Sequence, residues 1–320
     1  MNRLYNWIKK PVLDTVTLYW ELLKVMVPIM IIVRLGVEFG LIEHVSLVFT
    51  PFMDMVGLPP EAGIIWTTAM LVNIYAGMVT LVALLPEAPM NVAQITVLGS
   101  MILIAHSLPI EQRIVQKAGP GLIATTLLRI VGALVYGAIL HQIYTAFNML
   151  QENATIDWLP STDANAGWWQ WTQDSVISLF SIFWIILILI LALKVLELLK
   201  VTDLISKALS PILGLMGISD KAIPVTMIGV MLGLGYGGAL ILREAREGKM
   251  SPQDIFLSLS FMCLFHSMIE DTLLIFALGA DLSGILLGRF LFAFAVLFVL
   301  GQMVKRLPDQ VFNRLLFRQT

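Results

Sequence analysis

The sequence predicts an all-α polytopic membrane protein made of two inverted tandem repeats. About six transmembrane helices, two re-entrant hairpins and interfacial helices are expected. Three observations carry this. Of 320 residues, 58% are hydrophobic and 13% charged, with a mean hydropathy of +0.87, whereas a soluble domain carries roughly 25% charged residues. Apolar runs approach the roughly 20 residues that a spanning helix needs; the clearest, 176–193, contains no charge. The chain also matches itself without gaps at a spacing of 160 residues.

The repeat is readable because it aligns residues that apolar composition does not. HSLPIEQRIVQKAGPGLIATTLLR lies over HSMIEDTLLIFALGADLSGILLGR, so that His106 and Ser107 fall on His266 and Ser267, Glu111 on Asp271, and Arg129 on Arg289. Upstream, Pro51 falls on Pro211, Gly57 on Gly217, Gly77 on Gly237, and Arg34 on Lys194. The units are 1–150, a linker at 151–174, and 175–320.

Charge sets the expected orientation. The linker has no Lys or Arg and carries Trp158, Trp168, Trp169 and Trp171, while both ends are basic, with Lys9, Lys10, Lys305, Arg306, Arg314 and Arg318. Positive charge favours the cytoplasm and Trp the membrane interface. The amphipathic start MNRLYNWIKKP has no cleavage-site pattern and reads as a retained cytoplasmic segment. Cytoplasmic ends with an outside linker require an odd number of crossings per unit, hence inversion. The loops agree: REAREGK at 243–249 matches base-free ALLPEAP at 83–89, and EQRIVQK at 111–117 matches DTLLIFA at 271–277. This places the chain in a bacterial inner membrane with both termini inside.

The second unit reads as a long helix at 175–200 and an amphipathic piece at 203–216 broken near Pro211. An apolar segment at 222–242 is interrupted by GLGYGG at 233–238, and helices follow at 252–270 and 282–304. An odd count needs the glycine-interrupted segment to be a hairpin, with NIYAG at 73–77 as its counterpart. Such backbone breaks are tolerated at membrane depth only where protein or a watery cavity covers them.

Candidate binding residues follow from charge in apolar helices. Arg129 and Arg289 each cost at least about 2.5–3.5 kcal/mol on insertion scales unless paired. Glu111, Glu270 and Asp271 are the natural partners, with His106, Ser107, His266 and Ser267 nearby. They read either as a quasi-twofold substrate or ion site or as internal salt bridges. The hairpin tips add Asn73, Tyr75, Gly235, Tyr236 and Gly237. Met262 and the single cysteine, Cys263, read as core packing.

A net charge of −2 suggests no nucleic-acid partner, one cysteine excludes a thiolate zinc cluster, and GLGYGG lacks the GKS or GKT of a phosphate loop. No enzyme motif and no cofactor are expected.

The order of long helix, LISKALSPILGLMGIS and glycine-broken apolar segment resembles the nucleoside-recognition Gate domain, over 20–145 and 180–303. That domain occurs in concentrative nucleoside transporters, Feo-type iron permease membrane domains and spore-maturation A and B proteins. The resemblance implies a re-entrant hairpin after the interfacial helix, although NIYAGM and GLGYGG lack the acid of the nucleoside-transporter cluster. The functions expected are a permease for a small polar or anionic solute, including nucleosides, a divalent metal or ion permease, or a non-transporting assembly partner. The partners expected are lipid, a small-molecule or ion substrate, and further copies of the chain.

Overall fold

A computed structural model describes residues 2–156, 158 and 167–317, with side chains from residue 11 onward. The basic side chains of Lys9, Lys10 and Arg318 lie outside the described residues. The described chain is helical, with no strand beyond two isolated bridges.

The first half runs α1 (Asn2–Glu38), α2 (Leu41–Ser46), α3 (Thr50–Met55), α4 (Ala62–Leu71), α5 (Ile74–Leu84), α6 (Val92–Ile104), α7 (Leu108–Lys117) and α8 (Leu122–Ala146). The second runs α9 (Trp168–Leu198), α10 (Val201–Leu215), α11 (Ile223–Leu232), α12 (Leu234–Arg246), α13 (Pro252–Leu264) and α14 (Glu270–Ala277). It ends with a π-helical turn (Ser283–Gly288), α15 (Arg289–Arg306) and α16 (Asp309–Leu315). Several boundaries recur at the sequence spacing: α1 and α9 end at Glu38 and Leu198, and α6 and α13 start at Val92 and Pro252.

Five runs are long and apolar enough to cross a bilayer: Pro11–Glu38, Val92–Lys117, Leu122–Ala146, Trp168–Leu198 and Ser283–Arg306. The helix expected at 252–270 is not continuous. It breaks at 265–269, so a sixth crossing would be made by α13 and α14 together. The run Val92–Lys117 is itself interrupted at 105–107.

Between the long helices sit two hairpins of short arms, α4 with α5 and α11 with α12. An arm of ten residues reaches about 15 Å, half of a hydrocarbon core about 30 Å thick. The expected glycine loop is corrected here. Only Gly233, at φ 97°, breaks the second hairpin, and Gly235, Gly237 and Gly238 lie within α12. In the first hairpin the break falls at Val72 and Asn73; the rest of NIYAG is the first turn of α5, with the Asn73 side chain accepting from Ala76 N–H at 2.9 Å. The arms cross where Gly237 meets Gly229. A Cβ on Gly237 would stand 2.2 Å from Gly229 Cα, whereas one on Gly235 would meet nothing within 4 Å.

Pro211 does not break its helix: α10 continues through it. Its counterpart Pro51 instead stands in the first turn of α3, after the chain turns between α2 and α3.

These glycines predict opposite responses. Gly237→Ala forces backbone against backbone and should cost about 1–3 kcal/mol of overpacking. Gly235→Ala should be neutral or stabilising by up to about 1 kcal/mol from helix propensity. Thermal unfolding of the purified protein in detergent checks both.

Candidate polar centre

The two helix breaks face each other. Each falls on a His-Ser pair, and both serines take left-handed backbone, Ser107 at φ 49° and Ser267 at φ 46°. Such a conformation costs about 1–3 kcal/mol in a non-glycine residue and persists only where its surroundings enforce it. Hairpin backbone supplies part of that enforcement: Ser107 N–H donates to Ala69 O at 3.0 Å, and Met268 N–H to Val230 O at 2.8 Å.

Each histidine folds back on its own helix. His106 Nδ1 donates to Ile102 O at 2.9 Å and His266 Nδ1 to Met262 O at 2.7 Å. A carbonyl only accepts, so both Nδ1 atoms carry protons, and a neutral ring then presents its Nε2 lone pair. Those Nε2 atoms lie 3.3 Å apart, and both residues are buried, at 4% and 1% exposure. Carboxylates flank them. Glu111 Oε1 stands 3.8 Å from His106 Nε2 and 3.7 Å from His266 Nε2, and Asp271 Oδ2 is 3.5 Å from His106 Nε2.

The arginines do different things. Arg129 on α8 is fully buried and saturated. Its Nε donates to Ile104 O at 2.7 Å, Nη1 to Glu111 Oε2 at 2.5 Å, and Nη2 to His106 O at 2.9 Å. It therefore binds carbonyls freed by the break together with a carboxylate. Arg289, equally buried, reaches His266 O at 3.4 Å and Thr272 Oγ1 at 3.3 Å through Nη2. Its Nε and Nη1 have no hydrogen-bond partner among the described residues, and its guanidinium lies over the Phe265 ring at 4.8 Å.

Two differences between the halves account for this. Asp271 is one methylene shorter than Glu111. The π-helical turn also stands immediately before Arg289, where the first half has regular α-helix, and it changes the rotation at which the arginine leaves the helix. Tyr136 donates to Gly284 O in that turn at 2.7 Å, and the Tyr144 hydroxyl meets Ser283 Oγ at 2.9 Å.

Of the residues singled out in the sequence, His106, Ser107, Glu111, Arg129, His266, Ser267, Asp271 and Arg289 thus gather at the breaks. Glu270 hydrogen-bonds Tyr75 and lines a cavity. Asn73 spends its side chain on a helix cap, and Gly237 on the hairpin crossing. Tyr236 is 72% exposed and Gly235 faces open space, so neither joins the centre. Met262 and Cys263 are core residues, as expected. The sequence reading missed Thr272, Gln112 and Thr125. The latter two pair with each other at 2.7 Å, and their only signal was a polar side chain in an apolar stretch.

The cavity encloses about 850 Å³ among α1, α9, α10 and α11 and ends at Ile269 and Glu270. Asp14, Lys194, Glu197, Asp203, Lys207 and Ser206 line it. Part of its wall, Ile190, Leu193, Lys194 and Glu197, corresponds by the 160-residue spacing to Met30, Val33, Arg34 and Val37. Those four line a crevice of only about 40 Å³, closed by Val82, Ala83 and Pro86 at the end of α5.

The arginines should separate on mutation. Arg129→Met leaves Glu111 and two carbonyls unpaired and should destabilise by about 3–5 kcal/mol. Arg289→Met loses long hydrogen bonds and a cation–π contact worth about 2 kcal/mol when desolvated, and should cost less. Denaturant or thermal unfolding of the two variants side by side checks the order.

The chain is 24% identical over 275 residues to the uncharacterized membrane protein YvoD of Bacillus subtilis (strain 168), an alignment covering 84% of this chain and 86% of the relative. No family model matches the chain, and no solved structure does. With that relative and its own apolar helices, the chain is an integral, multi-pass α-helical membrane protein.

Proposed function

We propose that this protein is a secondary transporter, a permease for a small polar or charged solute, whose two halves are inverted copies meeting at the polar centre. The observation that carries the reading is the unequal opening of equivalent positions. The face of α9 walls a cavity of about 850 Å³ that ends beside the centre, while the corresponding face of α1 is closed to about 40 Å³. Inverted repeats in different conformations are how rocking transporters expose one fixed site to each side in turn. The broken helices add support, because discontinuous helices place backbone groups and buried charge at the bilayer midplane, where such transporters bind their cargo. The charge pattern of the loops favours an inner-membrane orientation with both ends and 243–249 cytoplasmic.

Arg289 keeps an anionic solute within the reading, since its Nε and Nη1 have no hydrogen-bond partner among the described residues. Arg129 does not, being saturated by Glu111 and two carbonyls. The resemblance to Gate domains adds nucleosides to the candidates.

The test is uptake into proteoliposomes of nucleosides, small organic anions, phosphate and divalent metals, preceded by a thermal-shift screen. A ligand at 100 times its Kd should add about 2.7 kcal/mol to unfolding. One class should both stabilise the protein and be taken up. Ser206→Trp, which puts a bulky ring into the cavity, should reduce uptake while leaving the unfolding temperature unchanged. Stabilisation and flux absent for every class would move the weight to a non-transporting assembly partner.

A further inference from the structure

We infer that the centre between the two breaks is a binding site for a divalent first-row transition ion, held by His106 Nε2, His266 Nε2, Asp271 and Glu111, and that this ion is the cargo. The inference rests on the permease reading for its second half and on the geometry alone for its first.

The spacing of the ligand atoms is what an ion would require. Both Nδ1 protons are committed to carbonyls, so two neutral rings would oppose lone pairs across 3.3 Å, and a positive group, a proton or an ion, relieves that opposition. A shared proton holds nitrogens at roughly 2.7–3.2 Å, and the observed spacing also fits an ion. Two ligand atoms each about 2.0–2.1 Å from a tetrahedral ion stand about 3.3–3.4 Å apart. The observed edges are 3.3 Å between the two nitrogens, 3.5 Å from His106 to Asp271, and 3.8 and 3.7 Å from the two histidines to Glu111. The His106, His266 and Asp271 ligand atoms all lie within 4.8 Å of one another. These three surround a point where an ion would sit, and Glu111, outside that group, faces the same point from the side of the two histidines.

The supporting contacts are those metal sites use. A metal-bound histidine normally donates its other N–H to a carbonyl or carboxylate, which fixes the tautomer; here both do, one helical turn back. Glu111 is oriented by Arg129 through Oε2, which leaves Oε1 toward the histidines. Asp271 supplies a negative charge beside the two imidazoles, while Glu111 shares its own with Arg129. Imidazole with carboxylate suits zinc and its neighbours. The hard ions calcium and magnesium prefer all-oxygen shells, and a copper(I) site would want thiolate or thioether ligands. Cys263 Sγ is instead turned to Gln112 Nε2 at 3.8 Å.

The ligands come in equal number from each half: His106 and Glu111 from one, His266 and Asp271 from the other. Separating the halves would split the set and release the ion. Glu270, adjacent to Asp271, lines the large cavity, whose walls carry Asp14, Glu197 and Asp203 as well as Lys194 and Lys207. Acidic groups outnumber basic ones along it.

The experiment titrates Co²⁺ into the full-length protein in lipid nanodiscs and follows Zn²⁺ uptake into proteoliposomes loaded with a zinc-sensitive dye. The expected result is one Co²⁺ per chain with the visible d–d absorption of a tetrahedral nitrogen and oxygen site, displaced by Zn²⁺. His106→Gln and His266→Gln should each weaken binding by about 100-fold or more, at or beyond the upper end of what loss of an outer partner costs. Asp271→Asn, which keeps the side chain's size and an oxygen to accept from Ser267, should weaken binding while unfolding as the wild type does. Ser206→Trp should bind Co²⁺ normally and show reduced uptake. An absent band in the wild type, or an unchanged band in both histidine variants, overturns the metal site. If the wild type binds no metal yet takes up an organic solute, this inference falls and the permease reading stands. If metal binds but neither metal nor any solute crosses, the ion is not cargo and the permease reading falls with that half of the inference.

Discussion

A helix interrupted inside an apolar slab leaves carbonyls that no water can satisfy, and the centre of this protein is arranged around that constraint. At the first break Arg129 binds Ile104 O, His106 O and Glu111 in one planar fork, and His106 folds back to take Ile102 O. Arginine suits this because its guanidinium presents five fixed donors and stays charged. Glu111 then neutralises it. With the backbone satisfied locally, His106 Nε2 is left as a group with no structural duty and is held opposite its counterpart.

The second break is built from the same residue types and ends less completely satisfied. Asp271 turns toward His106, Thr272 stands where Gln112 stands in the first half, and a π-helical turn precedes Arg289. The consequence extends beyond the centre. The half with the saturated arginine has α1 packed along α5, whereas α9 stands beside an open cavity bordered by α10 and α11. Local hydrogen bonding and large-scale packing thus differ in the same half.

Much of this was legible in the sequence because polar residues that recur at one fixed spacing stand out against an apolar background. His106 with His266, Arg129 with Arg289 and Glu111 with Asp271 could be paired before any fold was known, and they do gather. What stayed hidden depends on tertiary context. Pro211 looked like a breaker, yet α10 runs through it, and the GLGYGG run looked like an open loop because glycine is conformationally permissive. Most of that run is helical because Gly237 is needed for close approach to Gly229, a packing reason invisible in one strand of text. The breaks fall at 105–107 and 265–269. Neither break contains a proline or glycine, and Pro109, two residues past the first, suits the first turn of α7 as well as it would an interruption. Serine carries the left-handed turn, and only the surrounding hydrogen bonds make that tolerable.

The uninterrupted course of α10 has a mechanical corollary. Fifteen residues of helix form a stiff rod of about 22 Å that begins at Lys200, a residue in left-handed conformation at φ 54°. The equivalent stretch in the first half is jointed between α2 and α3 and would absorb a torque. A rod does not: pivoting α10 about Lys200 by about 15°, the size of known subunit rotations, sweeps its far end through roughly 6 Å. Asp203, Ser206, Lys207 and Ser210 lie at increasing radius along it, so one angle would displace each of these cavity-lining side chains by a different amount.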